Sequence, residues 1–255
     1  MLLLERRHSE YLPGGTHRSL TLHREKLNKE HGLNVKFVQL DITDIKSIQA
    51  AKDTIEKAEG RLDVLVNNAG RHFFISNGLA LKNYRDVGIS EMNKPQKATS
   101  VDLQVVRNTF EPNFFGLIQI TTTLLPLIRK ANKDHPAVIC NVTIDMASNT
   151  LQAGPNHLPH WVAYNTSKAA ANSYTIALAD ELKEEGIRVN CITPGHTVTK
   201  LNGFHPGGKT PEQAAEMIVP WCTMQPDDKR TGQLIILSLE YLKLIPVIFR
   251  QVHLR

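Results

Sequence analysis

Tyr164 and Lys168 stand four residues apart in AYNTSKAAANSYTIALADEL. On a helix that spacing makes two side chains neighbours on one face. The run from Ser167 to Leu182 is Ala-rich and holds neither Gly nor Pro, which predicts a helix. A phenol and an ammonium are thereby presented to one point in space. A free phenol keeps its proton up to a pKa of about 10, and a nearby cation favours the phenolate. The expected chemistry is a general acid/base with a pKa lowered by the amine. It suits giving a proton to an alkoxide or taking one from an alcohol.

The elements that must position this pair are legible as alternating patterns. VKFVQLDI, LDVLVNNAG, AVICNVTI and IRVNCITPG read as apolar strands. ITDIKSIQAAKDTIEKAEG reads as a helix with an Asp or Thr cap and Gly60 as its stop. VDLQVVRNTFEPNFFGLIQITTTLLPLIRKAN reads as a long helix that Pro112 kinks or restarts, and TPEQAAEMIVPW as a further helix. Strands alternating with helices predict an α/β fold: one domain with a Rossmann-type doubly wound parallel sheet. Ligands of such sheets lie beyond the carboxyl ends of the strands. Asp41, Asn67 to Gly70, Thr143 to Ser148 and Pro194 to Thr199 all fall at those ends.

At 255 residues the chain is long enough for one such domain with a full core. The net charge of +5 is spread among interspersed acids and bases, so no basic patch points to nucleic acid. No stretch reaches the roughly 18 apolar residues of a membrane span; Glu240, Lys243 and Pro246 interrupt LIILSLEYLKLIPVIF. The apolar run at the start is too short for a secretory signal, and a cytoplasmic location is expected. Cys140, Cys191 and Cys222 are odd in number and form no Cys-x-x-Cys pair. They read as small buried hydrophobes rather than a disulfide or metal framework. His157 and His160 lack a usual zinc spacing and read as loop residues, so no metal is expected. Trp161 either lines a pocket or packs.

LDVLVNNAG at Leu62 to Gly70, NFFG at Asn113 to Gly116, the Tyr164/Lys168 helix and GIRVNCITPG at Gly186 to Gly195 occur in this order. Together they resemble the short-chain dehydrogenase/reductase family, over roughly residues 25 to 233. The resemblance implies an oxidoreductase using NADP or NAD, NADP preferred, that interconverts a carbonyl and a secondary alcohol of a small-molecule substrate. It implies that Tyr164 exchanges the proton, that Lys168 lowers its pKa and holds the cofactor ribose, and that Asn113 holds a water in a proton relay. It places Asn68, Ala69 and Gly70 against the adenine-side ribose and Asp41 against the adenine. Thr197 and Thr199 would face the nicotinamide carboxamide and phosphate. Pairing of like chains through the long central helices is also implied. Each residue has a plainer role open to it: a tight turn for Asn68 to Gly70, a helix cap for Asp41, a satisfied polar group for Asn113, and loop punctuation for Thr197 and Thr199.

Three departures accompany the resemblance. The family's first strand, its Gly-rich phosphate turn and its second strand have no match in residues 1 to 24, where Gly14 and Gly15 lack a third glycine. The first two strands are therefore expected to be missing, which would expose strand edges. Residues 234 to 255 form an atypical tail. Ile144 stands where the family places its catalytic Ser, and Ile cannot hydrogen-bond a carbonyl. Ser148, in the loop before the Tyr helix, is preferred as the substitute hydroxyl, with Thr143 second. A competing reading follows: a truncated, inactive relative acting at most as an interaction protein.

Overall fold

The computed structural model describes residues 34–70, 96–132, 134–155, 157–199 and 206–236, with 2–5, 25, 28–30, 32, 75–76, 79–80, 201 and 204. Gly14 and Gly15, and the tail beyond residue 236, lie outside the described residues. Strand β1 is Leu2–Glu5 and β2 is Lys36–Gln39. Helix α1 (Ile45–Glu59) follows, then β3 (Val64–Asn67) and a short antiparallel ladder of β4 (Ile75–Ser76) with β5 (Leu79–Ala80). Helices α2 (Leu103–Phe110) and α3 (Leu117–Ile128) are joined by a π-helical turn, Glu111–Gly116. Strand β6 (Val138–Val142) leads through a 3-10 turn, Asp145–Ala147, to the short helix α4 (Asn149–Gln152). The long helix α5 (Val162–Leu182) precedes β7 (Arg188–Thr193), α6 (Pro211–Cys222) and β8 (Leu234–Ile236).

The expected parallel α/β fold is present. Strands run β3-β6-β7-β8 in one parallel sheet, and β1 pairs with β2 in another. Side chains alternate across a strand, so β6 serves two layers. Ile139 points into a core shared with Ile48 and Ile55 of α1, Leu124 and Leu127 of α3, and Leu178 and Leu182 of α5. Val138 and Cys140 point to the other face, against Ile192, Met224 and the α6 residues Ile218 and Trp221. Both faces are thus covered by helices, which is why these strands read as near-continuous apolar runs.

The expectation that the first two strands are missing needs correction for one of them. Leu2–Glu5 forms a strand, in parallel register with Lys36–Gln39 from Leu2↔Lys36 to Glu5↔Gln39. Its short apolar run carried too little periodicity to be read as one. Among the described residues, the β1–β2 pair is not hydrogen-bonded to the four-stranded sheet. Among the described residues, the edge of β3 away from β6 has no strand partner, and Val66 is 40% exposed there.

Local signals explain the helix ends. Asp44 caps α1, its carboxylate accepting from the Lys46 N–H at 2.9 Å, and Gly60 closes it in the left-handed region (φ 71°). Thr210 and Gln213 form a capping box ahead of Pro211 in α6. The Pro112 interruption is resolved as the π turn rather than a break, since Pro112 lacks the N–H that a regular turn would use. Gly116 ends that turn beside the chain leaving β2. A Cβ there would lie 2.7 Å from the Ile42 carbonyl oxygen and 3.1 Å from Ile42 Cγ1.

Buried amides tie the layers together. Asn67 Nδ2 donates to Thr121 Oγ1 of α3 at 3.0 Å and to Asn141 Oδ1 of β6 at 2.8 Å. Asn141 Nδ2 donates on to Thr175 Oγ1 of α5 at 2.7 Å. Each link is paired, so the network costs little to bury and fixes β3, α3, β6 and α5 relative to one another.

Gly→Ala in a helix ordinarily adds up to about 1 kcal/mol of stability. Gly116→Ala is expected to do the reverse, lowering it by about 1–3 kcal/mol, because the clash is with fixed backbone. Urea denaturation measures this; a stabilised variant would contradict the close approach.

Candidate functional site

Tyr164 and Lys168 lie on the buried side of α5, which begins at Val162, earlier than the sequence pattern indicated. No side-chain cap holds its first turn at Trp161; instead Gln96 Oε1 accepts from the Ala163 N–H at 2.8 Å. That contact joins residues far apart in the chain and left no signal in the local pattern. Lys168 is 4% exposed, and its ammonium donates to the Val142 carbonyl at the end of β6 at 2.9 Å. The Tyr helix is thus attached by its amine to the strand end that precedes Thr143.

Asn113 is brought in by the π turn. It is 1% exposed, and its Nδ2 donates to Ser167 Oγ at 3.0 Å. Ser167 in turn donates to the Tyr164 carbonyl at 2.8 Å. Gly70, after β3, completes the junction: a Cβ on it would lie 3.3 Å from Asn113 Oδ1 and 3.5 Å from Lys168 Nζ. Three segments distant in sequence therefore converge around one ammonium, and only the absence of a side chain at residue 70 leaves the room. Ser167 is the positioning residue that spacing alone did not single out.

The electrostatics differ from the expected picture. Burial pushes the Tyr164 phenol above its usual range. Burial also disfavours the Lys168 ammonium, bringing its pKa down to about 8. The expected lowering of the Tyr pKa by Lys168 is therefore not what this structure displays, because desolvation outweighs the amine, whose proton is engaged by Val142.

The two candidate hydroxyls are placed differently. Ser148 is buried and committed to capping α4, accepting from the Leu151 N–H at 3.4 Å. Thr143 is 4% exposed, and its Oγ1 has no hydrogen-bond partner. Its N–H continues the ladder to the Ile192 carbonyl at 2.9 Å. Thr143 therefore shares a sheet face with Asn141, the face that α5 covers. Ile144 is half-buried in the intervening position. Asp145, also missed by sequence pattern, is buried and accepts a short hydrogen bond from Thr193 Oγ1, pinning the 3-10 turn to the end of β7.

The remaining residues lie at the same sheet edge. Asn68 and Ala69 are exposed beyond β3. Asp41 does not cap α1, a role Asp44 fills; its carboxylate accepts from the Thr43 N–H and hydroxyl at 2.9 and 2.7 Å in a tight turn. Thr197 and Thr199 are half-buried beyond β7, with Thr197 bridged to Lys209. His157 and His160 are exposed and stack on each other at 4.9 Å. Among the described residues no group of three or more His, Cys, Asp or Glu could hold a metal, and no helix is long and apolar enough to cross a membrane.

Residues 16–206 match the short chain dehydrogenase family. Salutaridine reductase of Papaver bracteatum is 29% identical over 251 residues, covering 82% of this chain and 79% of that protein. Oxidoreductase UcpA of Salmonella typhimurium is 32% identical over 180 residues, 69% of this chain and 57% of that protein. The solved salutaridine reductase of Papaver somniferum superposes with a TM-score of 0.65 at 25% identity, covering 84% of this chain and 86% of that one. NADPH-bound carbonyl reductase from chicken fatty liver superposes at 0.68, with 21% identity over 92% of this chain and 84% of that one. With the family's match spanning most of the sequence, and with the sheet order and the Tyr–Lys helix alongside it, the chain belongs to the short-chain dehydrogenase family.

Proposed function

We propose that this chain is an NAD(P)-dependent oxidoreductase that interconverts a carbonyl and a secondary alcohol on a small molecule. The observation that carries the reading is the junction of Gly70, Asn113 and Lys168 beside buried Tyr164. The residues fit the nicotinamide-ribose end of such a cofactor: Lys168 and Tyr164 would hold the ribose, and the missing Cβ at Gly70 leaves the approach open. Asn68 and Ala69, Asp41, and Thr197 with Thr199 would line the rest of its path. The cofactor, when bound, supplies or accepts the hydride. The net charge of +5 suits the additional phosphate of NADP(H), in keeping with the NADPH held by the chicken carbonyl reductase of the same fold.

In the reducing direction the Tyr164 phenol gives its proton to the oxygen that becomes the alcohol. Burial keeps that phenol protonated until an alkoxide develops, which suits an acid more than a base. Lys168 supplies positive charge one helical turn away, and Asn113 holds the relay side of the amine. The Thr143 hydroxyl, otherwise unpaired, orients the substrate oxygen in place of the absent Ser. This reverses the preference for Ser148, whose hydroxyl oxygen already accepts from the Leu151 N–H in the α4 cap.

Carbonyl reduction followed by nicotinamide absorbance tests this reading. Tyr164→Phe is expected to lose at least about 10²-fold in turnover, the usual scale of a general acid, while still binding nucleotide. Thr143→Val is expected to lose more activity than Ser148→Ala. Unchanged turnover in Tyr164→Phe would overturn the assignment of the acid.

Lys168 also carries a stability prediction. Below pH 8 its ammonium is charged in folded and unfolded chains alike, and the fold bears the full cost of burying it. Between about 8 and 10.5 the unfolded chain binds the proton and the folded one does not, so stability rises with pH. Lys168→Met is therefore expected to be more stable than the parent at neutral pH, by about 1–3 kcal/mol. The gain should fade as pH approaches 10.5. Denaturation midpoints across this range check it; a gain that grows with pH would contradict it.

A further inference from the structure

We propose that Cys140 and Cys222 form a redox-sensitive disulfide that ties the end of α6 to the middle of β6. Alternation along β6 puts Cys140 on the face that α6 covers, and Cys222 is the last residue of that helix. Cys222 packs against the apolar cluster that holds Cys140 with Val138, Ile192 and Met224, which brings the two thiols near each other. Cys191, by contrast, projects from β7 to the opposite face, beside Thr175 and Lys168. It is placed with the Tyr helix and not with α6.

The two thiols differ in a way that assigns their roles. Cys140 is fully buried and Cys222 half-buried, so a small oxidant meets Cys222 first. The neighbouring Cys140 thiol holds the Cys222 thiol below its usual range. The nearby Cys222, and then burial, push Cys140 up. The more exposed Cys222 is thus assigned the attack and the buried Cys140 the resolving step.

The oxidant is a peroxide. The Cys222 thiolate attacks one oxygen, the O–O bond breaks, and Cys222 becomes a sulfenic acid as hydroxide leaves. Cys140 then attacks that sulfur, its proton going to the departing hydroxyl, which leaves as water. Two thiols are oxidised by two electrons in all, and one peroxide is reduced to two waters. A dithiol reverses the bond by exchange.

An S–S bond of about 2.05 Å is shorter than a thiol contact, so its formation draws the end of α6 toward β6. The next residues of that strand, Asn141 and Val142, carry the amide network and the carbonyl that holds Lys168. Any effect on turnover rests on the proposed function; the disulfide itself does not.

The test treats the full chain with hydrogen peroxide, blocks free thiols in denaturant and maps peptides without reduction. A Cys140–Cys222 cross-linked peptide is expected, with alkylation of both residues falling about tenfold and recovering after dithiothreitol. Cys191 should stay alkylatable. In Cys222→Ser, checked for native circular dichroism, Cys140 should also stay alkylatable through the same exposure. Conversion of Cys222 to a sulfinic acid with Cys140 still free would overturn the proposal. So would a cross-link to Cys191, no thiol loss at all, or oxidation of Cys140 in Cys222→Ser.

Discussion

A cation buried in a protein needs a partner for its protons, and Lys168 finds one in the carbonyl that ends β6. That contact, with the Asn141–Thr175 hydrogen bond, ties the Tyr helix to β6. Burial lowers the ammonium's pKa to about 8, so it stays charged at neutral pH, yet burial of the phenol outweighs it. Tyr164 accordingly stays a phenol. Under the proposed function such a phenol serves as a proton donor, and cofactor and substrate would supply whatever further charge moves it to the phenolate.

Rigidity behind this contact comes from groups that never touch the site. The chain of Asn67, Asn141, Thr121 and Thr175 fixes two strands and two helices by fully paired buried polar atoms. The π turn at Pro112 then rotates Asn113 toward α5, and the missing side chain at Gly116 lets that turn sit against Ile42. The least supported part of the architecture is on the other side. Among the described residues the β1–β2 pair is a separate sheet, and one edge of β3 has no strand partner. The junction around Gly70 hangs from that same strand, so the stability of the β3 edge bears directly on the site.

Much of this was legible in the sequence, and for definite reasons. The Tyr–Lys spacing, the helix stop at Gly60 and the apolar runs of β6 and β7 are local signals, set by residues within one or two turns of each other. The Asp44 cap was legible as a choice between residue types. Contacts between distant segments left no such trace: Gln96 on the first turn of α5, Ser167 under Asn113, Asp145 on Thr193, Cys222 on Cys140. The strand Leu2–Glu5 was missed because four residues hold too little period to tell a strand from a loop. Spacing does not separate Ser148 from Thr143; the structure differs at the two in that the Ser148 oxygen accepts from the Leu151 N–H while the Thr143 hydroxyl has no partner.

The central claim is that the Lys168 junction receives a nicotinamide nucleotide. Titrating the chain with NADPH and with NADH, following nicotinamide fluorescence, tests it most directly when Lys168→Met is titrated beside the parent. The account predicts saturable binding by the parent and an affinity at least about tenfold weaker, or about 1.4 kcal/mol, in a variant that is no less stably folded. No binding of either nucleotide by the parent up to millimolar concentration, or equal affinity in the two chains, would contradict it.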